Sequence, residues 1–415
     1  MTSKVFEKFD ISPRWGFLTD SAIMTAPLPA DFDMFAQIIA NLENTDGVYY
    51  RSLVDQLANL GHPQEYYIEL AKKQTYDVQK KVYSLFTFMV QKYIRCMGKE
   101  HQIETVPFEL GLIWYHTALT FNLPTVTTYS ALVLSNWALT DPTLFPTLEN
   151  LTAVHGISGL QDEIWFYRIH IAIEYTGGQI LQEMFDIEET TATTESTIRF
   201  LQKMRQVLLD IAVLLGKMRS GCDPKTYWND VRIFLGGYTP DNGLPNGINI
   251  AQTSIKDIKF GGGSGAQSSL IQSFDEFLGV EHSTDHAREF LRIQRTYMPT
   301  KHAAYLTELS THKPLREIVL QYNDEAVTTE YNAVMMALGK FRAAHYRIVY
   351  EYIVFFTSAA KEATSRGDYA SAALINKNNI FGEGGTGGTV LKMLEEYRKD
   401  TVATQIKAEV EDSGV

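Results

Sequence analysis

Apolar residues recur every three or four positions along most of this 415-residue chain, which is the spacing of an amphipathic helix. Two long examples cover 34–60 and 63–97, and Gly61 and Gly98 stand where such helices would end. Further segments with this spacing are 194–220, 226–236, 267–279, 285–297, 302–310 and 328–365. Strand-like alternation is weak and no repeat of fixed period is visible. The pattern therefore predicts an all-α fold.

The helical pattern loosens at 145–157, in the stretch FPTLENLTAVHGI. We expect a domain boundary here, between a small, mainly helical N-terminal domain at 1–155 and a larger, all-helical domain at 156–415. Directly after it, Ser158 and Gln161 have the spacing of a capping box, in which two side chains bond to the free N–H groups of a helix start. The first helix of the second domain is therefore predicted to begin there.

Composition narrows the class of function. The formal net charge is -12 and no block rich in Lys and Arg occurs, which argues against a nucleic-acid partner. No apolar leader segment and no apolar run of about 18 residues is present, so neither secretion nor a membrane span is expected. We expect a cytoplasmic protein. Its two cysteines, Cys96 and Cys222, are far apart, which indicates neither a disulfide framework nor a thiolate metal cluster.

Two glycine-rich stretches look at first like phosphate-binding loops. They are FGGGSGAQSS at 260–269 and FGEGGTGGTV at 381–390, and the second satisfies G-x-G-x-x-G. A dinucleotide site needs a buried strand before the glycines, and a P-loop needs G-K-[ST] after them; both features are missing. The stretches are therefore flexible linkers, or loops that allow close approach of the backbone to a flat ligand and form a mobile lid.

Two histidines stand on otherwise apolar helix faces. One predicted stripe is Val334, Leu338, Phe341, His345, Ile348, Tyr352 and Phe355, and another is Phe166, His170, Ile173 and Gly177. A histidine on such a face is either a core residue bonded to a backbone carbonyl or a ligand. Two such helices resemble the walls of a haem pocket, with one imidazole as axial ligand. His282 and His286, four residues apart, lack the flanking glutamate of a zinc motif.

The order of several motifs resembles the indoleamine 2,3-dioxygenase family. The segments are WGFLTD, LPTVTTYSALVLSNW, YWNDVRIFLGGY, FGGGSGAQSSLIQSFDEFLGV, YMPTKHAAYLTEL, ALGKFRAAHYRIV and GTGGTVLKML. Together they cover the chain from about residue 10 to about residue 400. The resemblance implies a two-domain helical fold that encloses haem b, with iron held by one axial histidine and the substrate pocket on the other face of the haem.

Matched position by position, the resemblance implies a role for each site residue. His345 matches the proximal axial ligand, and Arg232 matches the arginine that binds the substrate carboxylate, a task that suits the guanidinium fork. Four aromatic residues match positions beside the indole: Tyr129, Phe166, Tyr227 and Trp228. Ser264 and Gly265 match a segment that lines the pocket, and Thr386 matches the threonine of a mobile loop that closes over the substrate.

His170 is a departure, because the animal enzymes of this family carry a small serine at that position. An imidazole there adds a titratable group to the substrate side of the pocket. His170 could act in catalysis by accepting the indole N–H or by orienting dioxygen, or it could narrow the pocket. It could also serve only in packing.

The reaction that the resemblance implies is insertion of both atoms of O₂ across the indole C2–C3 bond of L-tryptophan or a related indoleamine. The product would be N-formylkynurenine, and the reaction would be the first step of the kynurenine pathway. Two alternatives use the same scaffold: a haem oxygenase that acts on another indole or aromatic amine, and a haem protein that binds O₂ without catalysis. The joint presence of Arg232, the aromatic residues and GTGGT disfavours the second alternative.

Overall fold

The computed structural model describes residues 6–43, 46–189, 193–365 and 387–407, and these are mostly helical, which confirms the predicted all-α class. The first half contains α1 (Ser21–Thr25), α2 (Ala36–Ala40), α3 (Gly47–Asp55), α4 (Gln64–Lys72), α5 (Tyr76–Arg95), α6 (Phe108–Thr120), α7 (Gln161–Gly178) and α8 (Leu181–Glu189). The second half contains α9 (Thr194–Gly216), α10 (Pro224–Thr226), α11 (Ser269–Leu278), α12 (Asp285–Arg295), α13 (Thr300–Leu309), α14 (Leu315–Tyr322), α15 (Glu325–Val349), α16 (Phe355–Ser365) and α17 (Gly387–Ala403).

Short elements connect the helices. The two-residue strands β1 (Thr105–Val106) and β4 (Asn249–Ile250) pair in parallel, and β2 (Ala138–Leu139) and β3 (Leu151–Thr152) pair antiparallel. Short 3₁₀ helices occur at Ala30–Phe35, Gln56–Leu60, Lys99–His101, Lys217–Ser220, Arg232–Leu235, Pro240–Asn242 and Gly265–Gln267. Wider π-helical turns occur at Ser130–Leu134, Tyr227–Val231 and Tyr350–Val354.

The helix that carries His345, α15, begins where the carboxylate of Asp324 accepts hydrogen bonds from the backbone N–H groups of Ala326 and Val327. Most of the predicted apolar stripe is buried or half-buried, with His345 and Ile348 half-buried, but its last member, Phe355, is 52% exposed. The physical reason is the π turn at Tyr350–Val354, since an extra residue per turn rotates everything after it away from the original face.

The predicted capping box at the start of α7 is wrong. The residue before α7 is Leu160, whose side chain makes no capping hydrogen bond. Instead, the buried carboxylate of Glu163 accepts from the backbone N–H of Ile157 at 2.9 Å and from the N–H and hydroxyl of Ser158 at 2.7 and 2.6 Å. A carboxylate can accept several such bonds at once. Glu163 therefore organises this turn together with the Ser158 hydroxyl, which accepts from the N–H of Leu160 at 3.2 Å.

One continuous hydrophobic core runs from Phe6 to Tyr352 and draws on helices from both halves of the chain. The division into domains at residue 155 stays a prediction. Within the described residues, every helix is too short or too polar to cross a bilayer. The cytoplasmic location also stays a prediction.

The first glycine-rich stretch approaches another part of the backbone. A Cβ on Gly262 would lie 2.1 Å from the carbonyl oxygen of Leu235, and one on Gly237 would lie 2.2 Å from that of Phe260. Both contacts are too short for any residue except glycine. The stretch is therefore packed onto the segment that directly follows Arg232, and it holds that segment close to the cavity described below. The second stretch lies largely outside the described residues.

Candidate active site

A cavity lies among α7, α11, α12, α15, α17 and the end of the first glycine-rich stretch. Four of the predicted site residues form part of its wall: Tyr129, His170, Gly265 and His345. The rest of the wall is mainly apolar and includes Ile173, Leu215, Ile271, Leu291, Phe341 and Leu394.

His345 reaches the cavity from α15, one turn after Phe341. Burial is the main cause that lowers the pKa of its imidazole to about 4, and the neighbouring His170 and Arg342 contribute in the same direction. The imidazole is therefore neutral at physiological pH. A neutral imidazole keeps a nitrogen lone pair, which is the state that binds a metal.

His170 reaches the same cavity from α7, and one hydrogen bond defines its tautomer. Its Nδ1 lies 2.8 Å from the carbonyl oxygen of Phe166, and because a carbonyl only accepts, Nδ1 carries the proton. Burial lowers the pKa of the imidazole, although this hydrogen bond acts in the opposite direction. In the neutral ring, Nε2 therefore has a lone pair and can accept a hydrogen bond.

Aromatic rings surround His170. The ring centroids of Phe166 and Tyr129 lie 4.6 and 6.1 Å from that of the imidazole. The ring centroid of Tyr227 lies 4.9 Å from that of Phe166 on α7 and 5.5 Å from that of Tyr352 in the π turn after α15. Tyr227 thus joins the segment after α10 to these two elements. Three of the four predicted aromatic residues thus form one cluster with His170.

Arg232 and Trp228 are buried beside this cluster but are not part of the cavity wall. The guanidinium carbon of Arg232 lies 4.6 Å from the centroid of the Trp228 ring, and Trp228 stacks on Phe356 at 5.6 Å. Burial lowers the pKa of Arg232 to about 10, while the neighbouring Tyr227 acts in the opposite direction. Arg232 remains charged at physiological pH.

The other predicted pocket residues are simply located. The hydroxyl of Ser264 accepts from the N–H of Ala266 at 3.2 Å and so starts the short 3₁₀ turn that places Gly265 on the cavity wall. Thr386 lies outside the described residues.

Each π-helical turn of the described chain adjoins a site residue. Ser130–Leu134 follows Tyr129 directly, Tyr227–Val231 precedes Arg232 directly, and Tyr350–Val354 follows the helix of His345. Such turns are less stable than α-helix and concentrate at functional sites. Helical periodicity in the sequence gave no sign of them.

An ion pair next to His345 was missed by the sequence reasoning. Arg342, three residues before His345 and therefore on the same side of α15, donates to the carboxylate of Asp275 on α11, and both line the cavity. Burial by itself raises the pKa of Asp275, but Arg342 and the imidazole of His282 outweigh it and hold that pKa below its ordinary value. The three-residue spacing between Arg342 and His345 in the sequence could have indicated that Arg342 lies beside the cavity.

His282 lies beside the ion pair of Arg342 and Asp275. Its Nε2 lies 3.6 Å from a carboxylate oxygen of Asp275, and its Nδ1 lies 3.5 Å from one of Asp400 on α17. No group of three or more His, Cys, Asp or Glu side chains suited to a metal ion occurs among the described residues.

Glu174 is a second omission. It lies one helical turn after His170 on α7 and is only 1% exposed. One oxygen, Oε1, accepts from the hydroxyl groups of Tyr129 at 3.0 Å and Ser268 at 2.5 Å. Burial raises the pKa of Glu174 to about 7, and these two hydrogen bonds only partly offset the effect. The four-residue spacing from His170 could have revealed it.

Comparison with known proteins gives a consistent result. A family model described as indoleamine 2,3-dioxygenase matches residues 5–404. The chain is 27% identical over 408 residues to indoleamine 2,3-dioxygenase 2 from Homo sapiens, and the aligned region covers 95% of this chain and 94% of that protein. It is 29% identical over 434 residues to indoleamine 2,3-dioxygenase from Saccharomyces cerevisiae, with 96% and 93% covered. A 6-hydroxytryptophan 2,3-dioxygenase from Fusarium equiseti is 29% identical over 333 residues, with 78% and 80% covered.

Glu174 makes the stability of the fold depend on pH. With a pKa raised from 4.5 to about 7, the folded chain keeps a proton that the unfolded chain releases, so this stabilisation is complete below about pH 4.5 and is lost as the pH rises through about 7. Glu174→Gln removes the titration. Between pH 5 and pH 8 the natural protein should therefore lose roughly 2 kcal/mol more unfolding free energy than this variant.

Denaturant unfolding at several pH values measures this difference. The matched control is Glu195→Gln, because the side chain of Glu195 is 80% exposed and its variant should follow the natural protein. Identical pH dependence in the natural protein and Glu174→Gln would contradict the raised pKa.

Proposed function

Because the chain belongs to the indoleamine 2,3-dioxygenase family, and is therefore an oxidoreductase, we propose that it inserts both atoms of O₂ across the indole C2–C3 bond of L-tryptophan. The product is N-formylkynurenine and the cofactor is haem b. The observation that carries this proposal is a neutral histidine, His345, on the wall of a mainly apolar cavity.

The residues around the cavity fit a haem. His345 offers an uncharged nitrogen donor, and the apolar side chains of Phe341, Leu215 and Ile271 suit the faces of a flat macrocycle. Bound haem would supply the redox-active iron that activates O₂, which no protein side chain can do. All remaining steps of the proposal depend on how the protein binds and orients the substrate.

We assign the carboxylate of the substrate to Arg232. Arg232 is buried, it stays charged, and its guanidinium plane is held against Trp228. A charged hydrogen bond in such a dry place is stronger than one in water. The carboxylate would therefore fix one end of the amino acid, and Tyr227 and Phe166 would pack against the ring that extends from it.

His170 then lies beside the indole. Its Nε2 is the free acceptor in the neutral ring, so it suits the indole N–H, which only donates. This role is one of those that the sequence left open, and the tautomer favours it. A hydrogen bond from the indole N–H to His170 would hold the C2–C3 bond in one position and leave electron density on the ring during oxidation.

Exclusion of water is the last contribution of the protein. Apolar and aromatic side chains make up most of the cavity wall, and a dry site strengthens the hydrogen bonds of Arg232 and His170 to the substrate. The loop that contains Thr386 is proposed to close over the amino acid; it lies outside the described residues.

Direct product formation tests the proposed function. Haem-loaded protein, mixed with L-tryptophan, a reductant and air, should consume tryptophan and O₂ in equal amounts and form N-formylkynurenine, measured by its absorbance and by mass spectrometry. Isotopically labelled O₂ should place two labelled atoms in the product. Fully haem-loaded protein that leaves tryptophan unchanged would contradict the proposal, and product from another indole alone would favour the alternative substrate.

The role of Arg232 predicts a difference between two substrates. Arg232→Leu should raise KM for L-tryptophan by about 10- to 100-fold, because one charged hydrogen-bond partner of the carboxylate is lost. KM for tryptamine, which has the same ring and amine but no carboxylate, should change far less. Steady-state kinetics on both compounds measures this.

Arg232→Lys is the matched control for the charge. It keeps a cation but lacks the planar fork, so its KM for L-tryptophan should lie between those of the natural protein and Arg232→Leu. An equal rise in KM for tryptophan and tryptamine would remove the carboxylate role.

A further inference from the structure

Glu174 lies directly behind two polar residues of the cavity wall, Tyr129 and Ser268. Tyr129 and Ser268 line the cavity, and both donate their hydroxyl hydrogens to the same oxygen of Glu174, Oε1. Glu174 itself is 1% exposed. Neither the fold nor the proposed reaction as described above accounts for a carboxyl group in this apolar setting.

The second carboxyl oxygen of Glu174, Oε2, is buried and has no hydrogen-bond partner among the described residues. A buried oxygen without a partner costs free energy, and most buried polar atoms in folded proteins are bonded. By contrast Glu163, another buried carboxylate on α7, uses both of its oxygens within the fold. Glu174 therefore keeps hydrogen-bonding capacity that the described part of the fold does not use.

The position of Glu174 along α7 relates it to the rest of the pocket. Phe166, His170 and Glu174 follow one another at four-residue steps, so they lie along one face of the helix. The segment of Tyr227 and Arg232 packs at the Phe166 end. A helix rises 1.5 Å per residue, so Glu174 lies about 12 Å from Phe166 along the axis of α7. This distance is comparable with the length of an amino acid that carries an indole ring.

A substrate with its carboxylate at Arg232 and its N–H at His170 would therefore direct the benzo edge of its indole toward Glu174. This statement rests on the proposed function. An unsubstituted benzo edge has only C–H groups and leaves Oε2 of Glu174 without a partner. A hydroxyl group on that edge can donate to a carboxylate or accept from a carboxylic acid, so it can pair with Glu174 in either state.

We propose that Glu174, supported by Tyr129 and Ser268, is a specificity-determining residue that hydrogen-bonds a hydroxyl substituent on the benzo ring of the substrate. The pocket then distinguishes ring-hydroxylated tryptophans from tryptophan. A site that has a buried group waiting for a partner discriminates strongly, because the compound without the partner leaves that group unpaired.

Binding to the ferric haem protein tests this without turnover. Dissociation constants for L-tryptophan, 5-hydroxy-L-tryptophan and 6-hydroxy-L-tryptophan are measured from the change in haem absorbance, for the natural protein and for Glu174→Leu. Of the two hydroxylated compounds, one binds the natural protein more tightly, and we expect Glu174→Leu to bind that compound at least about tenfold more weakly. The dissociation constant of this variant for tryptophan should stay within about twofold of that of the natural protein. Glu174→Gln keeps the shape and one acceptor, so its loss should be about threefold.

Glu163→Gln is the control, because Glu163 is an equally buried carboxylate on α7 whose partners all lie in the fold. It should leave the ratio between hydroxylated and plain tryptophan unchanged. If Glu174→Leu does not fold, as judged by circular dichroism, the test uses Glu174→Gln and the ratio of its dissociation constants for hydroxylated and plain tryptophan.

An equal loss of affinity for all three compounds would overturn the proposal and make Glu174 a support for Tyr129 alone. So would a natural protein that binds tryptophan but neither hydroxylated compound. These failures differ from failure of the proposed function, in which the natural protein binds tryptophan and forms no product.

Discussion

The high cost of placing a charge inside a dry cavity is the constraint on which the rest of this site depends. Burial lowers the pKa of His345 to about 4, lowers that of His170 and raises that of Glu174 to about 7. The imidazoles are therefore neutral and offer lone pairs. Charge persists on the cavity wall where it is paired, as in Arg342 with Asp275. One physical effect thus prepares the three groups that we propose as the iron ligand, as the acceptor for the indole N–H and as the hydrogen-bond partner at the far end of the ring.

The backbone places these groups by departing from regular α-helix. Three π-helical turns adjoin Tyr129, Arg232 and the helix of His345, and the glycine contact between Gly262 and Leu235 presses a loop onto the segment after Arg232. Each device turns or shifts a side chain relative to the face that simple periodicity would give. The site is therefore built where the regular helices end or change width.

The sequence predicted the helical class and most of the stripe around His345 because both depend on local periodicity. It missed features that depend on distant contacts. Phe355 was expected to be buried, but the π turn before it rotates it outward, and the capping box at Ser158 gives way to Glu163, whose burial depends on tertiary packing. Arg342 and Glu174 were within reach, since each lies one helical turn from a recognised histidine. Their partners Asp275, Tyr129 and Ser268 come from other elements, and no local pattern could pair them.

The central claim is that His345 binds the iron, and haem titration into purified apoprotein tests it most directly. The natural protein, His345→Ala and the matched variant His170→Ala on another helix of the cavity wall are each titrated while the haem absorbance is followed. We expect the natural protein and His170→Ala to bind one haem per chain with the spectrum of a histidine-ligated iron. We expect His345→Ala to lose stable binding and to recover it when free imidazole is added. Full loading of His345→Ala with an unchanged spectrum would contradict the account.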